Sequence, residues 1–205
     1  MYRSTLWLAA IALTALAGCK KQEEAFEVLQ PPAAPTQLHR HWQLPDFSLI
    51  ERTGRPVTSA ELRGKVWVAD FFYTSCPGPC PMMTSRLSEI HKATRDEKDV
   101  SLVSISTDPS KDTPDVLKQY AAKFGADERW LFLTGEKESI YTLANKGFKL
   151  SVSDEDGTER EPVTHSTKLV LVDRNGTVRG FYDSQTEEET QKLIQDIKRL
   201  LKETR

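Results

Sequence analysis

The order of apolar runs and helical repeats predicts an α/β fold: a mixed sheet flanked by helices on both faces, in a single domain. Three observations carry this. Val66-Trp67-Val68-Ala69-Asp70-Phe71-Phe72 is almost continuously apolar, as a central strand buried on both faces requires. Directly after it the pattern changes, and Met83, Leu87 and Ile90 recur at spacings of three and four, the period of a helix. Near the end, Leu169-Val170-Leu171-Val172 and Val178-Arg179-Gly180-Phe181-Tyr182 flank the turn Asp173-Arg174-Asn175-Gly176. The sheet therefore gains an antiparallel hairpin late in the chain.

The 205 residues suffice for one domain with a proper core plus extensions. At 38% hydrophobic and 28% charged residues, with a formal net charge of −2, nothing points to nucleic acid as a partner. The first residues read as a targeting signal. Arg3 supplies the positive start and Leu6 to Leu16 a short apolar stretch. That stretch ends in Leu16-Ala17-Gly18-Cys19, which resembles the bacterial lipobox, cleaved before a cysteine that receives lipid. Residues 1–18 are accordingly expected to be a lipoprotein signal peptide and Cys19 the lipidated first residue. The mature chain is then anchored on the extracytoplasmic face of the bacterial cell membrane, an oxidising compartment. With Cys19 acylated, Cys76 and Cys80 are the remaining cysteines, and two so close in sequence cannot staple a framework.

Residues 19–43 are polar and proline-bearing, with Lys20-Lys21-Gln22-Glu23-Glu24 and Pro31-Pro32-Ala33-Ala34-Pro35, and read as a flexible tether. His39-Arg40-His41 closes it; two histidines around one residue could bind a metal weakly but fit better as solvated linker, and Trp42 fits either linker or core. The folded domain is expected over 44–205. A small hairpin turns at Arg52-Thr53-Gly54-Arg55, and Leu62-Arg63-Gly64-Lys65 turns into the central strand. The helix after Cys80 is expected to run to about Lys98, and Val100 to Ser106 is the next strand. Asp112-Thr113-Pro114-Asp115 holds an N-cap candidate and a first-turn proline, opening a helix that Gly125 stops. Trp130 to Leu133 reads as a strand, Lys137 to Lys146 as a helix and Phe148 to Val152 as extended chain. Ser153 to Glu161 is a charged loop. Glu187 to Lys202 has helical spacing at Ile194, Ile197 and Leu201 and closes the fold.

The chemistry gathers at Thr74-Ser75-Cys76-Pro77-Gly78-Pro79-Cys80-Pro81-Met82-Met83, where a buried strand delivers two thiols to the mouth of a helix. Backbone N–H groups and the positive end of the helix dipole there favour thiolate. Residues four apart share a helix face, so both sulfurs can converge on one small ion. Soft thiolates suit Cu(I), and imidazole binds Cu(I) and Cu(II). Equally, the pair can exchange disulfides with a client, or form a plain structural disulfide.

The run Phe72-Tyr73-Thr74-Ser75-Cys76-Pro77-Gly78-Pro79-Cys80-Pro81 resembles the C-P-x-x-C-P signature of the Sco/SenC copper chaperones. Asp108-Pro109 followed by Asp112-Thr113-Pro114 resembles that family's D-P-x-x-D-T-P segment. Thr164-His165-Ser166-Thr167 before Asp173-Arg174-Asn175-Gly176 resembles its V-D-H-S/T element ahead of a D-x-x-G turn. The resemblance spans Phe47 to the C-terminus. It implies a thioredoxin-like fold and a copper ion, Cu(I) or Cu(II), held by Cys76, Cys80 and His165. It also implies delivery of copper to a terminal oxidase subunit in cytochrome c oxidase assembly. Two departures stand out: Gly78 where an acidic residue is common, and Thr164 where Asp commonly precedes the histidine. Asp108 is a conceivable oxygen ligand for Cu(II), though a turn or cap near the site suits it better. Met82, Met83, Trp67, Phe71, Phe72 and Tyr73 are expected in the core, and His91 at the surface.

The leading expectation is thus a monomeric, membrane-tethered copper chaperone, with an exposed site that hands its metal to a partner by ligand exchange. The rival is a thiol-disulfide oxidoreductase in which Cys76 and Cys80 act on an extracytoplasmic client. His165 separates them, because a metal site needs it and simple exchange does not. A redox or copper sensor is a third reading, for which the chain shows no signalling partner.

Overall fold

The computed structural model of the protein describes residues 37–154 and 164–203, and of Thr164 and His165 the backbone alone. The expected signal peptide, Cys19, the tether as far as Thr36 and residues 155–163 of the charged loop lie outside the described residues.

The central strand forms where its sequence requires: β3 (Val66–Phe72) has all seven residues buried. It pairs in parallel with β4 (Val100–Ser106), from Val66↔Val100 to Phe72↔Ser106, and β4 pairs in parallel with β5 (Trp130–Thr134). On its other side β3 lies antiparallel to β8 (Lys168–Val172), which forms the late hairpin with β9 (Val178–Asp183). The early hairpin, β1 (Ser48–Glu51) and β2 (Pro56–Thr58), sits antiparallel against β5. Among the described residues the sheet order is β2-β1-β5-β4-β3-β8-β9, and β6 (Val152–Ser153) pairs separately with β7 (Thr164–His165).

Helices cover both faces, as expected. Alternate residues of β3 point oppositely: Phe72 packs 5.3 Å from the ring of Tyr120 in α2 (Pro114–Lys123), while Phe71 packs 5.3 Å from Phe148 on the other side. The helix α1 (Cys80–Ala93) lies on the first face, its apolar residues Met83, Leu87 and Ile90 buried. The closing helix α4 (Glu187–Lys202) contacts both α1 and β3. Thr186 caps it through the Glu189 amide, and the acidic first turn (Glu187, Glu188, Glu189) and basic last turn (Arg199, Lys202) both suit its dipole. Phe148 belongs to a π-helical turn, Leu143–Phe148, which follows α3 (Lys137–Thr142).

Several expectations need correcting. The chain joins the fold before Leu44: His41 N–H donates to Val178 O, and Val178 N–H to Trp42 O, both at 2.9 Å. The buried Arg179 guanidinium holds the Leu38 and His39 carbonyls. Trp42 is therefore part of the domain, its indole N–H donating to Gly147 O at 2.7 Å. The α1 helix stops at Ala93, where Thr94 leaves helical dihedrals (φ −113°, ψ 19°) while its hydroxyl donates back to Ile90 O. His91 is buried, not at the surface, with its Nε2 2.8 Å from an Asp127 carboxylate oxygen. The stretch from Lys137 is a short α-helix that widens into the π turn, so Phe148 is helical and not extended. Met83 is core, whereas Met82 is 40% exposed, because consecutive helical positions face different ways.

Candidate metal centre

The loop Tyr73–Pro79 leaves β3 and enters α1, with Cys80 as the first helical residue. Both cysteines are thiols and are not joined in a disulfide. Cys76 is 8% exposed and Cys80 0%, while Ser75, Pro77 and Gly78 stand in solvent above them. The site is thus a buried pair under a thin lid, and not the open site expected from a ligand-exchange role.

Burial decides the acidity of Cys80. Desolvation pushes its thiol far above the ordinary range, reinforced by the hydrogen bond with Cys76 and by the nearby charges of Cys76 and Asp70. This burial opposes the preference for thiolate expected at a helix N-terminus. A metal arriving here must displace a proton, and the departing proton is the usual accompaniment of thiolate ligation.

The loop is held by Asp112, which the sequence marks as a cap candidate and as part of the D-P-x-x-D-T-P segment. It is fully buried, accepting from the Thr74 amide, the Thr74 hydroxyl and the Ser106 hydroxyl. The cap of α2 is Thr113, whose hydroxyl oxygen accepts the Val116 amide. Asp108 serves the turn between β4 and α2. Its carbonyl accepts the Lys111 and Asp112 amides, and its carboxylate accepts from Ser110 and pairs with Lys111. Beneath the cysteines, the Thr84 hydroxyl donates to Cys80 O and lies 2.9 Å from the Tyr120 hydroxyl. Desolvation raises the Tyr120 hydroxyl well above its usual value.

Asp70 stands out in the sequence as a single carboxylate within an apolar strand. It is 1% exposed, and neither carboxylate oxygen has a partner at hydrogen-bond distance. Desolvation is the dominant cause and pushes its pKa up to about 7.

The third expected ligand arrives by topology. Because β8 runs antiparallel to β3, with Ala69 opposite Val170, the start of β8 meets the end of β3. His165 stands three residues ahead of β8, in β7, and so enters at the end of the sheet where the cysteines are delivered. Its side chain lies outside the described residues. Among the described side chains, no third His, Cys, Asp or Glu joins Cys76 and Cys80, and Asp108 is therefore not placed as a ligand.

The donor chemistry fits copper: two soft sulfurs, one in the loop and one at the first residue of α1, with an imidazole-bearing strand led to the same end. Comparison with known proteins agrees on the lineage. The SCO1/SenC family profile matches residues 36–202. The chain belongs to the SCO1/SenC family. Three solved relatives share its architecture. A SCO1/SenC family lipoprotein from Bacillus anthracis is 36% identical with a TM-score of 0.73, over 78% of this chain and 96% of its own. BsSco, described as a member of the Sco family of cytochrome c oxidase assembly proteins in which a disulfide switch was identified, is 31% identical with a TM-score of 0.71, over 82% and 98%. Bradyrhizobium japonicum ScoI, solved with copper bound, is 27% identical with a TM-score of 0.65, over 77% and 99%. The thioredoxin-like fold expected from the sequence is therefore the fold found.

Proposed function

We propose that this SCO1/SenC protein carries a copper ion at Cys76, Cys80 and His165 and passes it to the copper centre of a respiratory terminal oxidase. The observation that carries the reading is the paired thiols at the mouth of α1, with the His165 strand led to the same end of the sheet. Copper is cargo here, and this chain's task is to hold it and release it. Two sulfurs and an imidazole suit Cu(I), and a ligand drawn from a separate strand makes metal loading depend on the tertiary fold. Cys19, carrying lipid, would tether the domain to the extracytoplasmic face of the membrane and raise its effective concentration near a membrane-bound client. The relationship to a SCO1/SenC family lipoprotein supports that anchor.

A second reading has its own observation. Cys80 is wholly buried while Cys76 lies nearer the lid, an arrangement in which one sulfur can attack a client disulfide and the other resolve the mixed disulfide. In that reaction the two thiols lose two electrons and two protons to form one disulfide, and the client's disulfide becomes two thiols.

A Cu(I) competition titration on the reduced chain, beside His165→Ala, tests the first reading. Tight one-to-one binding that weakens sharply in the variant is the expected result. If copper binds poorly, or equally well without His165, the three-ligand site is wrong and thiol exchange takes its place.

A further inference from the structure

We propose that Asn145 is a positioning residue for His165: its carboxamide completes the outer edge of β6 and so sets the register in which His165 is carried to the cysteines. The inference rests on the three-ligand reading above.

The contact is bidentate. Asn145 Nδ2 donates to Val152 O at 2.9 Å, and the Val152 amide donates to Asn145 Oδ1 at 3.0 Å. One side chain thus reproduces the bonding of a neighbouring strand, along the side of β6 opposite β7. On the near side Val152 stands opposite His165, and Ser153 opposite Thr164. Both backbone groups of Val152 face Asn145, so the Val152–His165 pair is the close, non-hydrogen-bonded kind. The ladder bonds then fall to its neighbours.

A two-residue strand paired with another two-residue strand has little stability of its own. Slippage by one residue would turn His165 to the opposite face. The clamp on Val152 resists that slippage from the far side.

The fold supports the clamp. Asn145 lies in the π turn Leu143–Phe148, a wide turn of a kind frequent at functional sites. Lys149 follows in the left-handed region (φ 55°) and reverses the chain, so that Val152 runs back past Asn145. Leu150 N–H closes the reversal onto Ala144 O, and Trp42 holds Gly147 O. The side chain of Asn145 is exposed while Val152 is 3% exposed, so truncating the amide opens no cavity in the core.

The test compares Cu(I) affinity of the reduced full chain with Asn145→Ala, His165→Ala and the double variant, alongside deuterium exchange at the Val152 amide. Asn145→Ala is expected to weaken Cu(I) binding about tenfold, the lower end of the range for groups that orient a metal ligand. It should speed Val152 exchange and leave the count of reactive thiols at its parental value. The double variant should bind no more weakly than His165→Ala, since the amide acts through that histidine. Asn145→Asp, which keeps the acceptor for the Val152 amide and loses the donor, should fall between parent and Asn145→Ala; it takes over the test if the alanine variant does not fold. If His165→Ala weakens binding but Asn145→Ala does not, or the two losses add, the positioning role is overturned while the three-ligand site stands. If His165→Ala binds as the parent does, both fall.

Discussion

Replacing Asp70 by Asn gives the sharpest test of the electrostatics under the cysteines. The two side chains are nearly isosteric, and the substitution removes a charge that the fold must bury without a partner. The pKa of Asp70 rises from 3.8 to about 7 on folding. At about 1.36 kcal/mol per unit, ionisation disfavours the folded state by about 4 kcal/mol once the pH exceeds both values. The sign follows from proton counting. Between the two pKa values the folded chain retains a proton that the unfolded chain has lost, so the parent loses stability as pH rises from about 4 to 7. Asn cannot ionise, and this part of the pH dependence should vanish. Any fixed loss from a poorly bonded buried amide, about 1–3 kcal/mol, is the same at every pH. Urea unfolding of the reduced, metal-free chain at pH 4 and pH 8 supplies the assay. The stability of Asp70→Asn relative to parent should improve by about 4 kcal/mol between the two. Parallel curves, with the same gap at both values, would refute the reasoning and mean that Asp70 has a partner or solvent access.

Two further substitutions probe how the site and the domain edge are held. Asp112→Ala removes the acceptor of the Thr74 amide and of the Thr74 and Ser106 hydroxyls. It should cost about 1–3 kcal/mol in chemical unfolding for each buried donor left unpaired and make Cys76 react faster with a thiol reagent; unchanged reactivity would mean the lid is held by something else. Arg179→Met removes the buried guanidinium that pairs with Asp173 and Glu203 and releases the Leu38 and His39 carbonyls. A loss of about 3–5 kcal/mol is expected, with early proteolytic cleavage within residues 37–43; a segment as protected as in the parent would show that it docks without the arginine.

The sequence by itself determined much of this protein, because its strongest signals are local or fixed by hydrophobic periodicity. The run Val66–Phe72 could be satisfied only by burial on both faces, and it became the centre of the sheet. The Asp173–Gly176 turn set the late hairpin, and the three separated motifs named the family and pointed to Cys76, Cys80 and His165. Tertiary structure decided what depends on neighbours distant in sequence. Desolvation of Cys80 by the packed core, which raises its thiol pKa, is a property of the whole environment that no local pattern reports. The buried partnership of His91 with Asp127 joins residues 36 apart. The burial of Asp112 under Thr74 and the docking of Trp42 on Gly147 likewise join distant segments. The clamp of Asn145 on Val152 is short in sequence yet exists because a π turn and one left-handed lysine reverse the chain, a backbone choice that side-chain periodicity does not encode. Motifs nominated Cys76, Cys80 and His165 from local sequence alone, whereas the environment around the two cysteines comes from packing.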